Sequence, residues 1–414
     1  MGNISLLLYI DPGTGAMLFT TLIGLFSVAA FAVKKLYIKL KFVLSGGKMD
    51  IKIDDEKKSI VIFSDHKRYW NVFKPICDEL ERRKVKSFFW TASHDDPALN
   101  EKYEYVECLF IGEGNKAYAY LNMMNAHICL ATTPGLDVYQ WKRSKNTDFY
   151  VHTFHAISWI TMYRMFGMDF YDAILLNGDF QEEYVRKIES LRNLPNKELF
   201  VVGSAYHDVM KKRAESRERN RHSDCINVLL APSWGASSIL SKYGIDFLKS
   251  LKNTGYNIIV RPHPQSLSSE KDLINKLEKE FPETDYWHWN YDNDNFDVLS
   301  KADIMISDFS GVIFDYSLIF GGAVIYTEVN IDKSPYDAWW LDEPMVFEAL
   351  LPQIGRKLSE NDIDSIKTVI EETLSSKEYE EGRRNVREKV WMYQGQAATR
   401  TVDYLMDKLD ELSL

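Results

Sequence analysis

The sequence predicts an α/β protein built from two Rossmann-like domains that face each other across a cleft. Short apolar runs alternate with helical stretches in two successive series, which is typical of parallel sheets with crossover helices. A charged run, KKRAESRERNR at residues 211–221, separates the two series. In the second series, two apolar runs end in polar motifs: RPHP at residues 261–264 and ISDFSGVIFDY at residues 306–316.

The composition is that of a globular enzyme with a full core. The 414 residues are 45% hydrophobic and 27% charged. A net charge of −10 and a pI near 5.5 argue against a general nucleic-acid binder, because phosphate backbones need a basic face. The four cysteines lie far apart with no C-x-x-C pair, so neither a zinc knuckle nor a disulfide framework is indicated. This pattern favours a reducing, cytoplasmic setting.

The N-terminal segment departs from this soluble pattern. Residues 14–33, TGAMLFTTLIGLFSVAAFAV, carry no charge and are long enough to cross a hydrocarbon layer of about 30 Å as a helix. Lys34, Lys35, Lys39 and Lys41 follow, whereas a secretory signal carries its positive charge before the apolar core. We therefore expect residues 1–47 to be an anchor and connector, crossing the inner (cytoplasmic) membrane once with the catalytic body in the cytoplasm. A buried core helix is the alternative.

The first domain is predicted over residues 50–222. A helix at about residues 69–83 lies between the first two of its apolar runs, which read as strands at residues 59–63, 85–90, 128–131 and 149–151. The last run passes into VHTFHA, so His152 and His155 stand at the carboxyl end of a strand. Imidazole suits proton transfer near neutral pH, and the two side chains would point to opposite faces.

We assign catalysis to His155 and a supporting role to His152; the alternative is that both are structural. The segment GSAYHD at residues 203–208, which includes Asp208, follows another strand and is expected to line the cleft.

The second domain is predicted over residues 223–390, with strands at residues 226–231, 257–260, 303–306 and 323–326. After its first strand, a small-residue turn with Ser233 and Trp234 can approach a ligand with its backbone. Ligands of open α/β sheets bind at the carboxyl ends of the strands, and a helix opening at Ser310 and Gly311 would direct N–H groups at an anion. These features predict a phosphate-bearing ligand. The alternative is a packed His263 and a simple helix cap. Residues 391–414 are predicted to form a C-terminal helix.

Other familiar site motifs are absent from the sequence. Asp292 and Asp294 form a D-x-D pattern, which we interpret as a solvated acidic loop rather than a metal site. The sequence contains no G-x-x-x-x-G-K-[ST], G-x-S-x-G or H-E-x-x-H pattern, so simple ATPase, hydrolase and zincin functions lack support. No metal and no cofactor is predicted.

In this order, the strand ending at His155 and the segments GSAYHD, LLAPSWG, RPHP and ISDFSGVIFDY resemble the CDP-glycerol glycerophosphotransferase family. These enzymes polymerise or prime teichoic acids and related glycerol-phosphate polymers. The resemblance spans roughly residues 55–390 and implies a membrane-associated enzyme of the GT-B fold. It implies that His155 is the base and that His263 contacts the donor pyrophosphate. With the neighbouring strand-end residues, the expected donor-binding set is Arg261, Ser307, Asp308, Ser310, Gly311, Asp315, Ser233 and Trp234.

The reaction implied by the resemblance is in-line attack by an acceptor hydroxyl on the donor phosphorus that bears glycerol, with CMP as the leaving group. The expected partners are CDP-glycerol or a similar CDP-alditol, a lipid-linked saccharide or polymer acceptor, and the membrane. The sequence departs from the family pattern around His155 and at Gly235, so a different acceptor or alditol phosphate stays open. Two alternatives belong to other classes: a GT-B glycosyltransferase or UDP-sugar epimerase, and a non-catalytic, membrane-tethered nucleotide-binding protein.

Overall fold

Two fully parallel sheets organise the fold. The computed structural model describes residues 56–413, with gaps at residues 159, 217–224, 293, 309, 328–333, 335–336, 338–339 and 341–345. The described residues belong to one compact unit that contains both sheets.

The first sheet has seven strands in the order β3-β2-β1-β4-β5-β6-β7. Its first strand along the chain, KSIVIFS, is buried over most of its length, as expected for an interior strand covered by helices on both faces. Every neighbouring pair is parallel. The strands are β1 (Lys58–Ser64), β2 (Ser87–Thr91), β3 (Val106–Phe110), β4 (Asn125–Ala131), β5 (Asn146–Thr153), β6 (Ala173–Leu176) and β7 (Glu198–Val201).

The second sheet has six strands in the order β10-β9-β8-β11-β12-β13, again all parallel. The strands are β8 (Asn227–Leu230), β9 (Asn257–Val260), β10 (Trp287–Trp289), β11 (Ile304–Ser307), β12 (Ala323–Thr327) and β13 (Gly355–Leu358). In both sheets the strand order reverses beside the first strand, between β1 and β4 and between β8 and β11. Ligands of doubly wound sheets bind at the carboxyl ends of strands at this reversal.

Helices connect the strands and cover the faces of both sheets. They are α1 (Trp70–Arg82), α2 (Asn115–Asn122), α3 (Glu182–Arg192), α4 (Ala205–Glu215), α5 (Ile239–Lys252), α6 (Ser266–Ser269), α7 (Lys271–Glu280), α8 (Phe296–Lys301), α9 (Val312–Phe314), α10 (Val346–Ile354), α11 (Ile366–Ser375), α12 (Lys377–Val390) and α13 (Ala397–Ser413). A π-helical turn, Asp315–Phe320, continues α9.

The last two helices connect the two sheets. Val386 and Val390 of α12 are buried in a hydrophobic cluster with Leu229 of the second sheet. Val402 and Leu405 of α13 are buried with residues of β1 and α1 in the core of the first sheet. The C-terminal segment therefore completes the core of the first sheet after leaving the second.

Within the part of the chain that the structure describes, no helix is long and apolar enough to span a membrane. The predicted anchor, residues 14–33, lies outside the described residues.

Candidate functional site

The turn between β8 and α5 is held by the carboxylate of Asp308. This side chain is fully buried and accepts hydrogen bonds from the backbone N–H groups of Ser233 at 2.8 Å and Ile239 at 3.1 Å. Asp308 follows β11, the neighbouring strand, so the bonds fix both ends of the turn to the strand beside it. Asp308 therefore shapes the predicted phosphate-binding turn through its backbone.

Glu270 holds the middle of the same turn and was not identified from the sequence. Its Oε1 accepts from the N–H of Gly235 at 3.1 Å and from the hydroxyl of Ser241 at 3.0 Å. Gly235 has a φ of +95°, a conformation that favours glycine. Three N–H groups of the turn have no partner within the described residues and remain for a ligand: those of Trp234, Ala236 and Ser237.

The serine and glycine residues of the predicted donor motif have different surroundings. Ser307 is fully buried, and its hydroxyl donates to the carbonyl of Ala231 at 2.5 Å, which joins the ends of β8 and β11. Ser310 is half-buried and Gly311 is exposed, immediately before α9. The predicted helix opening is therefore present, with Gly311 at the surface.

Arg261 and His263 both follow β9. The guanidinium of Arg261 donates to Asn290 Oδ1 and, at 2.7 Å, to the carbonyl of Asp292, and burial lowers its pKa. His263 is half-buried, and its Nδ1 accepts from the N–H of Gln265 at 3.1 Å, so in the neutral ring the proton is on Nε2. Burial lowers the pKa of His263, while the nearby carboxylates of Asp308 and Glu270 raise it.

Trp234 and His263 lie at the open side of the turn. Trp234 is 47% exposed, and its ring centroid is 6.5 Å from that of His263. An exposed indole beside a histidine and unpaired backbone N–H groups offers an apolar surface, a polar ring and anion donors in one place. A nucleotide has complementary groups for all three.

His155 lies at the corresponding strand end of the first sheet. Its Nδ1 is 3.0 Å from Thr132 Oγ1, which follows β4, and its ring centroid is 4.7 Å from that of Tyr69. Burial lowers the pKa of His155 to about 4, the positive charge of Arg68 adds to this effect, and Asp315 opposes it. The imidazole is therefore neutral at pH 7 and is able to accept a proton.

His152 is a core residue. It is fully buried, and its ring packs against Phe154, Tyr163 and Tyr171 with centroid distances of 5.1–5.5 Å. Neither ring nitrogen has a hydrogen-bond partner within the described residues, and burial holds its pKa well below the usual value. Its contribution is to support the packing behind the strand that carries His155.

Asp315 links the two halves of the site. Its Oδ2 accepts from the hydroxyl of Tyr206 at 3.4 Å, and its Oδ1 lies 3.3 Å from Nε2 of His207. The second contact is off the ideal N–H direction, so it is a close polar contact rather than an aligned hydrogen bond. His207 is fully buried, and its Nδ1 is 2.8 Å from Ser204 Oγ. The start of α4 therefore holds the carboxylate of Asp315, which comes from the half of the site built on the second sheet. The negative charge of Asp315 also acts on His155.

Asp208, from the same GSAYHD segment, fixes the C-terminal segment. Its carboxylate accepts from Trp391 Nε1 at 2.9 Å and from the N–H groups of Gly395 at 2.7 Å and Ala397 at 3.0 Å. Asp208 therefore anchors the start of α13 to α4, and it has no contact with His155 or the turn between β8 and α5 among the hydrogen bonds of the described residues.

No cluster of three or more metal-ligating side chains occurs among the described residues. In the predicted acidic loop, Asp294 forms an ion pair with Arg213 at 2.6 Å.

Comparison with known families identifies one match over most of the chain. Residues 48–407 match the family model described as CDP-glycerol:poly(glycerophosphate) glycerophosphotransferase. No curated protein matches the sequence.

Comparison with solved structures shows the fold. The wall teichoic acid polymerase TagF is 16% identical with a TM-score of 0.60, and the match covers 92% of this chain and 98% of TagF. A structure of a TagF variant soaked with CDPG has a TM-score of 0.56 at the same identity and coverage. The UDP-GlcNAc 2-epimerase from Neisseria meningitidis, bound to UDP-GlcNAc, is 13% identical with a TM-score of 0.53, covering 84% of this chain and 100% of the epimerase. The predicted GT-B-like α/β fold is confirmed.

Proposed function

The chain belongs to the CDP-glycerol:poly(glycerophosphate) glycerophosphotransferase family, and we propose that it moves glycerol phosphate, or a related alditol phosphate, from a CDP-linked donor to a lipid-linked or polymer acceptor. It is an enzyme of the CDP-glycerol glycerophosphotransferase type. CMP is the leaving group of the proposed reaction.

The observation that carries the proposal is the pairing of two strand ends. A neutral histidine, His155, follows β5 of one sheet, and β8 of the other is followed by a turn with three N–H groups that have no partner among the described residues. Asp315 belongs to the proposed donor half, contacts Tyr206 and His207 at the start of α4, and acts electrostatically on His155, which supports a single site. A transferase needs this combination of a base for the acceptor and an anion site for the donor.

The donor is proposed to bind at the second sheet. The free N–H groups of the turn, together with His263 and Arg261, would hold the pyrophosphate, and Trp234 would contact the nucleoside. The proposal of a CDP-linked donor is supported by the family match and by the TagF variant soaked with CDPG.

His155 is proposed to act as the general base. When Nδ1–H donates to Thr132, Nε2 keeps a lone pair for the proton of the acceptor hydroxyl. The acceptor oxygen then forms a bond to the phosphorus that bears glycerol, and the bond from that phosphorus to the oxygen of CMP breaks. The positive charge that arises on His155 is stabilised by Asp315.

We also propose that residues 14–33 anchor the enzyme in the inner membrane, with the catalytic body in the cytoplasm. Twenty uncharged residues followed by four lysines support this orientation. Protease added to intact cells should leave the body uncut, and carbonate or high salt should not release it. Cleavage from outside, or full release by either wash, would contradict the anchor.

The proposed function is tested with the full chain purified in detergent. Given CDP-glycerol and membrane lipid from its source, the enzyme should release CMP and label a lipid-linked product with glycerol phosphate. CDP-ribitol and UDP-GlcNAc are the comparison donors, since ribitol phosphate would keep the reaction class and the structural likeness to UDP-GlcNAc 2-epimerases makes a UDP-sugar the second candidate. Turnover of UDP-GlcNAc together with no CMP from any CDP-alditol would overturn the proposal.

A further inference from the structure

Arg68 is a cation close to the proposed base, and it forms no ion pair with any of the described residues. Arg68 is exposed and belongs to the short 3-10 helix Lys67–Tyr69 between β1 and α1. Its guanidinium carbon is 4.9 Å from the ring centroid of Tyr69, and that ring is 4.7 Å from the ring of His155. The distance from the guanidinium carbon of Arg68 to the ring centroid of His155 is therefore at most the sum of these two centroid distances.

The charge of Arg68 is available to a ligand. The preceding residue, Lys67, forms an ion pair with Asp95, but Arg68 forms none with any described residue. The charge of Arg68 also acts on the carboxylate of Asp65: burial raises the pKa of Asp65, while Arg68 lowers it. The guanidinium of Arg68 faces solvent and lies over the ring of Tyr69. A guanidinium in this setting is suited to bind phosphate through two parallel N–H groups.

As long as no anion is bound, the positive charge of Arg68 disfavours protonation of His155. Among the described residues, Arg68 and Asp315 are the charged groups that act on His155. The remaining neighbours are Thr132, Tyr69, Tyr163 and His152, and burial keeps His152 neutral. A lone cation next to a base weakens that base, so an anion bound to Arg68 would remove the disadvantage and leave Asp315 as the dominant charge.

We propose that Arg68, together with Tyr69, forms a subsite for a phosphate carried by the acceptor, and that filling this subsite makes His155 an effective base. The acceptor is then one whose attacking hydroxyl lies close to a phosphate group, such as a glycerol phosphate terminus, rather than an uncharged sugar. This inference rests on the proposed transferase function and extends it to the acceptor.

The probe is sn-glycerol 3-phosphate, a soluble compound with a hydroxyl near a phosphate. It is titrated into the full chain in detergent, labelled at histidine, while NMR follows the protonation of His155. In the wild type we expect the probe to raise the pKa of His155 by about one unit, because an anion replaces an uncompensated cation beside the ring. In Arg68→Gln the pKa should start higher and not respond to the probe.

Steady-state kinetics separates the acceptor's phosphate from the donor's. With a phosphate-terminated acceptor, Arg68→Gln should raise the acceptor KM about ten- to hundredfold, with unchanged affinity for CDP-glycerol by calorimetry. Arg68→Lys should recover part of the loss, since the charge remains but the bidentate geometry is lost. Lys67→Gln is the matched control and should behave as the wild type, because Lys67 is already paired with Asp95.

Two results would overturn the inference. One is a wild-type His155 that does not respond to sn-glycerol 3-phosphate while the same preparation transfers glycerol phosphate. The other is an Arg68→Gln enzyme with weakened CDP-glycerol binding and an unchanged acceptor KM, which would assign Arg68 to the transferred phosphate of the donor. Failure of the proposed function itself looks different, because the wild type would then release no CMP from any CDP-alditol.

Discussion

The proposed donor side and the proposed base side of the site use their charges in opposite ways. On the donor side, the carboxylates of Asp308 and Glu270 are bonded to backbone N–H groups of one turn, which is thus fixed before any ligand arrives. On the base side, Arg68 has no ion-pair partner in the described part of the chain and His155 is held neutral. The proposed donor site is preorganised, whereas on our proposal the base side depends on substrate to balance its charges.

The largest effect is expected from removal of the proposed base, His155. His155→Ala should reduce transfer about 10²–10⁴-fold, the usual range for loss of a general base, and leave the affinity for CDP nearly unchanged. CMP release and calorimetry measure the two effects. His152→Ala is the paired variant: it should cost less activity and lower the melting temperature, because His152 fills the core. A larger loss of activity at His152 than at His155 would mean that the base is the wrong histidine.

The second-largest effect is expected from the preorganised turn between β8 and α5. Asp308→Ala leaves two backbone N–H groups without their acceptor, and we expect CDP affinity to fall about ten- to hundredfold with a loss of stability of about 1–3 kcal/mol. His263→Ala should weaken CDP to a similar extent without the loss of stability, because His263 is only half-buried. Calorimetry and thermal unfolding distinguish the two. Unchanged CDP affinity in both variants would place the donor elsewhere.

A smaller effect is expected where the two sides meet. Asp315→Asn removes the negative charge that raises the pKa of His155. The rate should fall about tenfold, and the acidic limb of the pH profile of kcat/KM, which reports the free enzyme and is expected near pH 4 in the wild type, should move to lower pH, because a base with a lower pKa stays neutral in more acidic solution. CDP affinity should change little. A large loss of CDP affinity with no shift of the acidic limb would mean that Asp315 acts in donor binding and not on His155.

The smallest effect is expected at Glu270. Glu270→Gln keeps an oxygen for the N–H of Gly235 but removes a negative charge near the proposed pyrophosphate site. CDP should bind a few-fold more tightly, with the gain larger at low salt. Glu283→Gln is the control, since the carboxylate of Glu283 accepts from the N–H of Trp289 and has no hydrogen bond to this turn among the described residues. Weaker CDP binding in Glu270→Gln would mean that the charged form is needed to hold the turn.

The fold was predictable where strands are buried on both faces. The apolar runs predicted at residues 59–63, 226–231 and 257–260 correspond to β1, β8 and β9, because a parallel sheet requires continuous apolar strands. The edge strands β3, β10 and β13 were missed. β3 exposes most of its residues, β10 has three residues, and β13 reads GRKL, so none carries the pattern of a buried strand. The short strand β6 was missed as well, although it is buried.

Within the candidate site, only residues that directly follow a strand were predictable from the sequence. His155, Arg261, His263 and Asp308 each follow an apolar run, and the sequence pattern therefore selects them. Arg68 and Glu270 follow no such signal, since their surroundings depend on segments distant in the sequence: Glu270 bonds Gly235, and Arg68 lies near His155. The same holds for the contact of Tyr206 with Asp315. Tertiary packing, rather than any local motif, creates these pairs.

The return of α13 to the first sheet affects how the chain folds during synthesis. Val402 and Leu405 belong to the core around β1, and Asp208 binds the residues that begin α13. Nearly two hundred residues separate β7 from α13, so at about 5–20 residues per second the ribosome needs roughly ten to forty seconds between them. Throughout that interval the first sheet lacks part of its core and exposes apolar surface. We therefore expect the newly made first sheet to depend on chaperones until the last helix arrives.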